Sequence, residues 1–593
     1  MVRSLLTVGE FCDPFSCAAC FMMTPRFRTW HSGRDASAVR VGGCGGERRA
    51  RAVAWGVLAA ALAASGGCTH GGEASLLEQQ VQPRRGGTFR MAQDAPASLD
   101  PACLDDVYEA SIVNQIFDGL LSFDAHLNIM PCIAGSWEIS PDGRVYTFQL
   151  KRGVRFHDGT EVTSEDVVYS FTRVFDLPPQ ESALAREYLG HIEGCLDYAT
   201  RKTASIVGLA APSPYEVRIQ LDRSFGSFLA VLASDPARVV PRHYVERVGP
   251  GEFARHPVGS GPFRFADWVE GERVVLTAYE DYHMKRVLLD SLVFELRDEN
   301  SRDYAAEAFL AGRLSAVLVP DGRLAEFQGR PHTQVLTRQE LSLTFIGFDH
   351  NHPPFDDRRV RAAFAMAIDR DAMLRNGDMV RIPLNGILPP GMPGYTPESK
   401  LLEYDPGRAR TLLAEAGYPG GRGLPRIVHT TANQTEESRR LTEEILRQVA
   451  AVGFELETET PSWLEFSRRL TAQDIQCFTV TWVADIPDPD SFLYPIGHRH
   501  GSANFTGYAN PDVDELLLRG RASRNSLERM AVYREAERII LQDAPIVPLF
   551  HPLSAIAIQD AVRGVHLTPM GIGDIAMEDI WLLTERQTPE GAE

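Results

Sequence analysis

The acidic segment Trp482–Phe492 holds the residues whose types and spacing best fit a ligand-binding site. The run Cys477–Ala484 is rich in valine, threonine and aromatic residues, which predicts a strand, and two prolines shortly after it prevent the strand from continuing. Asp485 therefore lies at the carboxyl end of a strand, where open α/β sheets meet their ligands. An acid there, three residues after Trp482, is suited to hold a cation while the indole packs beside it.

The other acids of this segment have simpler explanations. Asp488 precedes Pro489, as a helix N-cap precedes a proline at the first helical position, and Asp490 is a second candidate cap. Asp485 has no such capping role, so we expect it to contact the ligand; the alternative is a solvated loop acid.

Signatures of known enzyme classes are absent from the sequence, which has no Walker loop, no dinucleotide fingerprint after a strand, no HExxH and no GxSxG. His498 with His500, and His350 with His352 near Asp349, are conceivable metal ligands, although alternating loop histidines are more often solvated or packed. No carboxylate pair stands out as a general acid and base. The sequence favours a binding protein without catalytic residues, metal or cofactor, and a secreted metal-dependent hydrolase is the alternative from another class.

Length and charge narrow the class of protein further. At 593 residues the chain is too long for a single core, and two or three lobes are expected. The net charge is −19, and because residues 1–67 carry eight arginines, no lysine and four acids, the remainder carries −23. So acidic a body argues against nucleic acid or an anionic membrane surface as a partner and favours cationic or zwitterionic ligands.

The N-terminal region predicts export. Basic residues precede the apolar run Val53–Ala64, which is shorter than the roughly 20 residues of a membrane-spanning helix. Small residues then lead to Cys68, as in a bacterial lipoprotein box, except that Ser65 stands where leucine is usual. We expect residues 1–67 to be a leader, Cys68 to be lipidated, and residues 68–85 to form a polar tether.

After Cys68 the chain contains four cysteines, and an exported protein is free to oxidise them. Four cysteines allow three pairings, and the sequence does not choose among these or exclude free thiols. The four are Cys103, Cys132, Cys195 and Cys477.

Periodic patterns predict a mixed α/β body that begins near Gly86. Strand-like alternation occurs in Val145–Leu150, and Thr163 with Asp166 forms a capping box that opens a helix. Asp405 before Pro406 predicts another helix N-cap. Further along, a helix-spaced apolar face runs from Thr435 to Gly453 and is followed by a strand pattern, an alternation typical of α/β lobes.

Five sequence blocks resemble, in order, those of the family 5 extracellular solute-binding proteins, which serve oligopeptide, dipeptide and related ABC importers. The resemblance covers the chain from Gly86 to about Leu582. The blocks are Ser136–Phe171, His256–Glu272, Pro353–Asp371, Asp405–Tyr418 and Ala503–Leu517.

This resemblance implies a periplasmic-binding-protein-like α/β fold of type II with three domains and two lobes that close by a hinge. Domain I would be discontinuous, over residues 86–118, 238–339 and 551–593. Domain II would be the insert 119–237, and domain III would run from 340 to 550. The hinge would then lie near residues 340 and 550.

The resemblance also implies a role for individual residues. In peptide-binding relatives an aspartate that matches Asp485 pairs with the α-ammonium group of the ligand, and Trp482 would line a side-chain pocket. Asp106 and Val107, in a loop that faces the ligand in relatives, and Asn504 are weaker candidates. The implied function is that of a periplasmic, monomeric component that captures peptides by lobe closure and delivers them to a membrane permease and its ATPase.

Two positions depart from the family pattern. Thr479 stands where some oligopeptide-binding relatives place an arginine that holds the peptide carboxylate; Arg499 and His429 are the conceivable replacements. Asp349 stands where asparagine is frequent. The departures leave open a non-peptide ligand of the same family, such as a nickel chelate, an opine or an oligosaccharide, and also a sensory or chaperone-like protein on the same fold.

Overall fold

The computed structural model describes residue 83 and residues 85–104, 106–297, 301–320, 322–375, 381–382, 384, 386–399, 402–432 and 435–583. The predicted leader, Cys68 and nearly all of the predicted tether lie outside the described residues. None of the described helices is both long and apolar enough to span a membrane.

The described chain alternates between strands and helices, as the sequence patterns predict. The strands are β1 Thr88–Asp94, β2 Leu121–Phe123, β3 Ile129–Pro131, β4 Ala134–Ile139, β5 Val145–Leu150, β6 Leu209–Ser213, β7 Glu216–Gln220, β8 Phe263–Val269, β9 Arg273–Ala278, β10 Ser291–Arg297, β11 Ala316–Leu318, β12 Thr333–Gln339, β13 Ser342–Phe348, β14 Arg381–Ile382, β15 Ile427–Thr430, β16 Leu456–Glu459, β17 Cys477–Val483, β18 Ile546–Gln559, β19 Val562–Arg563 and β20 Trp581–Leu582.

The helices cover the sheets and connect their strands. They are α1 Val107–Ile116, α2 Ser164–Arg173, α3 Ala183–Leu189, α4 Cys195–Ala199, α5 Phe228–Ala233, α6 Arg242–Val248, α7 Pro250–Arg255, α8 Ser301–Leu310, α9 Leu324–Phe327, α10 Arg358–Met366, α11 Arg370–Arg375, α12 Pro406–Glu415, α13 Glu436–Ala450, α14 Trp463–Thr471, α15 Asp490–Gly497, α16 Pro511–Ala522 and α17 Ser526–Asp543.

Three larger sheets carry the architecture. The first has the order β1-β10-β9-β8, and the second is the antiparallel sheet β4-β5-β7-β6. The third has the order β11-β18-β13-β17-β15-β16, with β12 and β14 also paired to β18. In this third sheet β15, β16 and β17 run parallel, which is the arrangement that places ligands at carboxyl ends of strands.

The long strand β18 connects regions that the sequence assigned to different domains. Its residues 546–550 pair with β13, whereas residues 553–559 pair with β12. The sheet β4-β5-β7-β6 lies within the predicted domain II. The division into three domains at the stated residues stays a prediction.

Several local predictions are confirmed by the backbone. The predicted strand before Asp485 is β17, and the alternating run Val145–Leu150 is β5. Thr163 and Asp166 form the capping box of α2. Each of these elements follows from a pattern within a few residues, which is why the sequence was sufficient to find it.

Candidate ligand-binding site

Asp485 follows β17 by two residues and lies at the carboxyl end of a strand in the large mixed sheet, as predicted. β17 is held on one side by β13, antiparallel, and on the other by β15, parallel. The strand is therefore internal, and its end is held in place by both neighbours. Asp485 itself is half-buried.

Ser491 holds the segment that carries Asp485 in place. The indole Nε1 of Trp482 donates to the carbonyl oxygen of Ser491 at 2.7 Å, and the backbone N–H of Asp485 donates to the Ser491 hydroxyl at 2.9 Å. Trp482 is half-buried and packs against the core that contains Phe492 and Leu493. The indole thus supports the loop, whether or not it also lines a pocket.

The two neighbouring acids each pair with a buried arginine, and neither of them occupies the N-cap position of the helix that follows. Asp488 makes a two-pronged ion pair with Arg529, with N–O distances of 2.6 and 2.7 Å, and Asp490 pairs with Arg521 at 2.9 Å. The helix α15 begins at Asp490, with Pro489 in the N-cap position, so the predicted register is off by one residue. The Asp488 carboxylate still accepts from the Asp490 N–H at 2.9 Å.

Asp485 differs from both, because no arginine, lysine or histidine in the described part of the chain forms an ion pair with it. Its carboxylate accepts a hydrogen bond of 2.8 Å from the hydroxyl of Tyr188, on α3. Burial, and then the charges of Glu187 and Asp235, raise the pKa of Asp485 to about 7, against the opposing effect of the Tyr188 hydrogen bond. The carboxylate lacks a cation that its surroundings would favour.

A second acidic group lies close to this carboxylate. Asp235 pairs with Arg238 at 3.2 Å, and Arg238 also donates to the side-chain oxygen of Asn114 at 2.7 and 3.0 Å. The side-chain nitrogen of Asn114 in turn donates to the carbonyl oxygen of Gly573 at 2.8 Å, so the next residue, Asp574, lies close to these contacts. Burial, and then the charge of Asp235, raise the pKa of Asp574 to about 7. Arg238 is therefore one cation in a region that contains three carboxylates, those of Asp235, Asp485 and Asp574.

The remaining predicted site residues have clear structural roles. Asp106 is the N-cap of α1 and accepts from the N–H groups of Tyr108 and Glu109 at 2.8 Å each. Val107 is the first residue of α1 and packs against a hydrophobic core. No hydrogen bond or ion pair between described residues links either of them to Asp485, and their contact with ligand stays a prediction.

Asn504 is buried and its amide is fully occupied within its own loop. Its side-chain nitrogen donates to the carbonyl oxygens of His498 at 3.1 Å and Tyr508 at 2.7 Å. Its side-chain oxygen accepts from the Thr506 hydroxyl at 3.0 Å and from the Tyr508 N–H at 3.1 Å. The Asn504 side chain thus holds its own loop together, and its contact with ligand stays a prediction.

Both of the conceivable carboxylate anchors already have partners within the protein. His429 is buried, bonds through Nε2 to the hydroxyl of Thr479 at 2.8 Å, and burial lowers its pKa to about 4, so it is neutral at pH 7. Arg499 pairs with Asp514 at 2.5 Å. The position of Thr479 therefore contributes a hydroxyl–imidazole pair rather than a positive charge.

The predicted histidine pairs do not assemble a metal site. His498 stacks on Tyr494, with ring centroids 4.3 Å apart, and His352 bonds to Asp349 at 2.5 Å. Burial lowers the pKa of His350 to about 3. In the described ranges neither pair joins a group of three metal-binding side chains.

The sequence reasoning missed the residues that come from distant parts of the chain. Tyr188 is 297 positions away from Asp485, and no local pattern marks it. No sequence pattern marks Ser227 either. Its hydroxyl accepts a hydrogen bond of 2.6 Å from Arg529, which is a contact between the predicted domains II and III. Ile486 likewise belongs to a core otherwise formed by residues 102–239.

Comparison with known proteins matches this architecture to one family. The model of bacterial extracellular solute-binding proteins, family 5, matches residues 128–504. Among curated relatives, heme-binding protein A of Haemophilus influenzae is 29% identical over 541 residues, which cover 87% of this chain and 96% of the relative. Di/tripeptide-binding protein 2 of Pseudomonas aeruginosa is 29% identical over 523 residues, with coverage of 84% and 95%.

Solved structures agree over the same region. The periplasmic binding protein DppA of Helicobacter pylori, in complex with the peptide STSA, superposes with a TM-score of 0.72 at 27% identity, covering 84% of this chain and 98% of that chain. An oligopeptide-binding protein of Borrelia burgdorferi superposes with a TM-score of 0.74 at 27% identity, covering 84% and 100%. Because the family model matches well over half of the chain, this protein belongs to the bacterial extracellular solute-binding proteins of family 5.

Proposed function

We propose that this protein captures short peptides through their free α-ammonium group and delivers them to the permease of an ABC importer. The observation that carries the proposal is the contrast within one segment, in which Asp488 and Asp490 each have a buried arginine partner and Asp485 has none among the described residues. A ligand ammonium group supplies the missing cation. Relatives that bind dipeptides, tripeptides and oligopeptides by name support the choice of ligand.

The Tyr188 hydroxyl would lie on the other side of the proposed ammonium-binding site from the strand that carries Asp485. Tyr188 lies in the predicted domain II and Asp485 in the predicted domain III, so their hydrogen bond forms between parts that would separate when the lobes open. A carboxylate has about four acceptor positions, of which Tyr188 uses one. Closure over a ligand would leave the ammonium group hydrogen-bonded to Asp485 in a site with little water, where a charge-assisted pair is strongest.

The cellular setting follows the same proposal. The protein is exported and held at the membrane by lipidation of Cys68, acts as a monomer, and docks on the permease in its ligand-closed form. The N-terminal charge and apolar run support export, and the family's extracellular setting agrees with it. Mass spectrometry of the protein isolated from membranes tests this directly, because a diacylglyceryl-modified N-terminus at Cys68 is expected, and an N-terminus elsewhere contradicts it.

A non-peptide ligand of the haem class is the second candidate. It is favoured by one observation, which is that a relative named as a heme-binding protein is as similar, at 29% identity, as the di/tripeptide-binding one. Haem carries propionate groups and no ammonium group, so it would not satisfy Asp485.

The test is a thermal-shift and calorimetric comparison of tri-alanine, N-acetylated tri-alanine and haemin. The proposal is supported if tri-alanine alone stabilises the protein and if this effect is lost in Asp485→Asn. The effect should be kept in the control Asp197→Asn, which changes an exposed acid. Stabilisation by haemin that survives in Asp485→Asn contradicts it. Binding of acetylated and free peptide with equal affinity preserves peptide capture and removes the role of Asp485.

A further inference from the structure

A carboxylate, a thiol and an imidazole meet in a buried cluster well separated in sequence from the proposed ligand site. In the described part of the chain, Asp118, Cys132 and His283 are the group of metal-binding side chains whose ligand atoms all lie within 4.8 Å of one another. Asp118 is 5% exposed, Cys132 2%, and the side chain of His283 8%. Buried clusters of these three residue types are uncommon without a specific reason, because each side chain is polar or ionisable.

Three separate segments bring the cluster together. Asp118 follows the C-cap of α1, and Cys132 lies between β3 and β4, where its N–H donates to the Leu120 carbonyl oxygen at 3.3 Å. His283 lies on the loop after β9. The predicted boundary between domains I and II runs through this place, so an interaction among the three side chains joins the two domains.

The carboxylate is the centre of a hydrogen-bond network. His283 bonds through Nε2 to Asp118 at 2.9 Å, and Tyr282 donates to the same carboxylate at 3.2 Å. The Ser260 hydroxyl lies 3.4 Å from it. These groups orient the side chains of the cluster, as outer partners do around metal ligands.

The network leaves part of the cluster without a partner. The Nδ1 atom of His283 is buried and has no hydrogen-bond partner among the described residues. Cys132 is buried, and its sulfur belongs to the same cluster as the Asp118 carboxylate. A protonated thiol is a weak hydrogen-bonding group, and packing alone does not require it beside a carboxylate.

We propose that Asp118, Cys132 and His283 bind a divalent ion of the zinc class, with a water molecule completing a four-coordinate site. Thiolate, imidazole and carboxylate together are the ligand set that Zn²⁺ prefers, with metal–ligand distances of about 2.0–2.3 Å. Such bonds place ligand atoms roughly 3.3–3.8 Å apart, so side-chain movements on the order of 1 Å convert the present cluster into a site.

Access and charge balance fit this assignment. Tyr282, His283 and Met284 line one wall of a surface pocket of about 420 Å³, so the pocket lies beside the cluster. Binding breaks the S–H bond of Cys132 and forms a sulfur–metal bond, and the proton leaves to solvent. The ion's charge of +2 then faces one thiolate and one carboxylate, which makes the site neutral without a further counter-ion.

The experiment measures bound metal in the full chain after chelation and re-addition of one metal at a time. Wild type, Cys132→Ala and His283→Ala are compared with Cys477→Ala, which removes a buried thiol that belongs to no group of three metal-binding side chains in the described ranges. We expect both cluster variants to bind one zinc ion fewer than wild type and Cys477→Ala to bind the same number. Each variant is compared with wild type, so any zinc bound by cysteines near the N-terminus contributes equally to both and does not affect the difference.

A spectroscopic readout protects the test against variants that fail to fold. Co²⁺ added to wild type is expected to give a sulfur-to-cobalt charge-transfer band together with the strong visible bands of a tetrahedral site, both displaced by Zn²⁺. Equal zinc content in wild type and Cys132→Ala overturns the proposal. Equally, a Co²⁺ spectrum whose charge-transfer band is the same in wild type and Cys132→Ala overturns it.

Discussion

The raised pKa of Asp485 predicts that peptide affinity falls on acidification. At low pH this carboxyl is protonated, and the peptide must displace the proton in order to bind. Burial holds the pKa of this carboxyl at about 7 when no ligand is present, whereas pairing with an ammonium group requires the ionised form. Below pH 7 each binding event therefore releases the Asp485 proton. Above pH 7 the limit comes from the ligand, because a free α-amino group has a pKa of about 7.7–8.0.

The size of the effect follows from these two pKa values. The protonated fraction of Asp485 rises from about one quarter at pH 7.5 to about 97% at pH 5.5, which weakens binding of the ionised form about 30-fold at the lower pH. After allowing for partial deprotonation of the peptide at pH 7.5, the net loss of affinity between pH 7.5 and 5.5 is about 15-fold, or roughly 1.6 kcal/mol.

Isothermal titration calorimetry of tri-alanine in buffers of different ionisation enthalpy measures both quantities. We expect release of nearly one proton per peptide at pH 5.5, and a pH-independent residual affinity in Asp485→Asn over the range 5.5–7. Affinity that stays constant or rises on acidification, or binding without proton release at pH 5.5, would refute the reasoning that ties the ammonium group to this carboxylate.

The same pKa shift predicts that Asp485 destabilises the ligand-free protein at neutral and alkaline pH. Its folded-state pKa of about 7 exceeds the ordinary 3.8, so the folded protein holds the proton more tightly and loses stability as pH rises from 3.8 through 7. A shift of this size corresponds to about 4 kcal/mol in the free energy of unfolding. Because Asp485 is only half-buried, we expect the measured loss to be smaller. Asp485→Asn should therefore raise Tm by a few degrees at pH 8 and much less at pH 4, and an equal rise at both would contradict the linkage.

Two further perturbations test the packing that positions the site. Arg529→Met leaves Asp488 buried without its cation and should lower the free energy of unfolding by about 3–5 kcal/mol in urea denaturation. In Gly347→Ala the added Cβ would lie 2.2 Å from the ring of Phe478, on the paired strand, so we expect a loss of about 1–3 kcal/mol and weaker peptide binding, because Phe478 is part of β17.

Matched controls separate these effects from general damage. Arg538→Met removes an arginine whose ion pair with Glu535 is exposed, and should cost about 1 kcal/mol or less. In α7 an alanine at Gly251 meets no atom within 4 Å and should be neutral or slightly stabilising. If Arg529→Met costs no more than Arg538→Met, the buried pair with Asp488 does not contribute as argued.

Much of the fold could be read from the sequence because its signals are local. The strand β17, the capping box of α2 and the N-cap Asp405 with Pro406 each depend on a few neighbouring residues. Five ordered blocks were enough to indicate the family. The one-residue error at α15 arises because Asp488 before a proline is a good capping pattern, whereas in the structure Pro489 occupies the N-cap position and both acids pair with arginines from α16 and α17.

The chain by itself determined that Asp485 lies at the carboxyl end of a strand, since two prolines shortly after it prevent the strand from continuing. Only the tertiary structure decided which of three neighbouring acids lacks a cation, because the partners Tyr188, Arg521 and Arg529 come from distant positions. It likewise bonded the Asn504 amide to its own loop and joined Asp118 to His283 across 165 residues. Charge neutralisation and ligand geometry depend on distances in space, which hydrophobic periodicity and capping patterns do not encode.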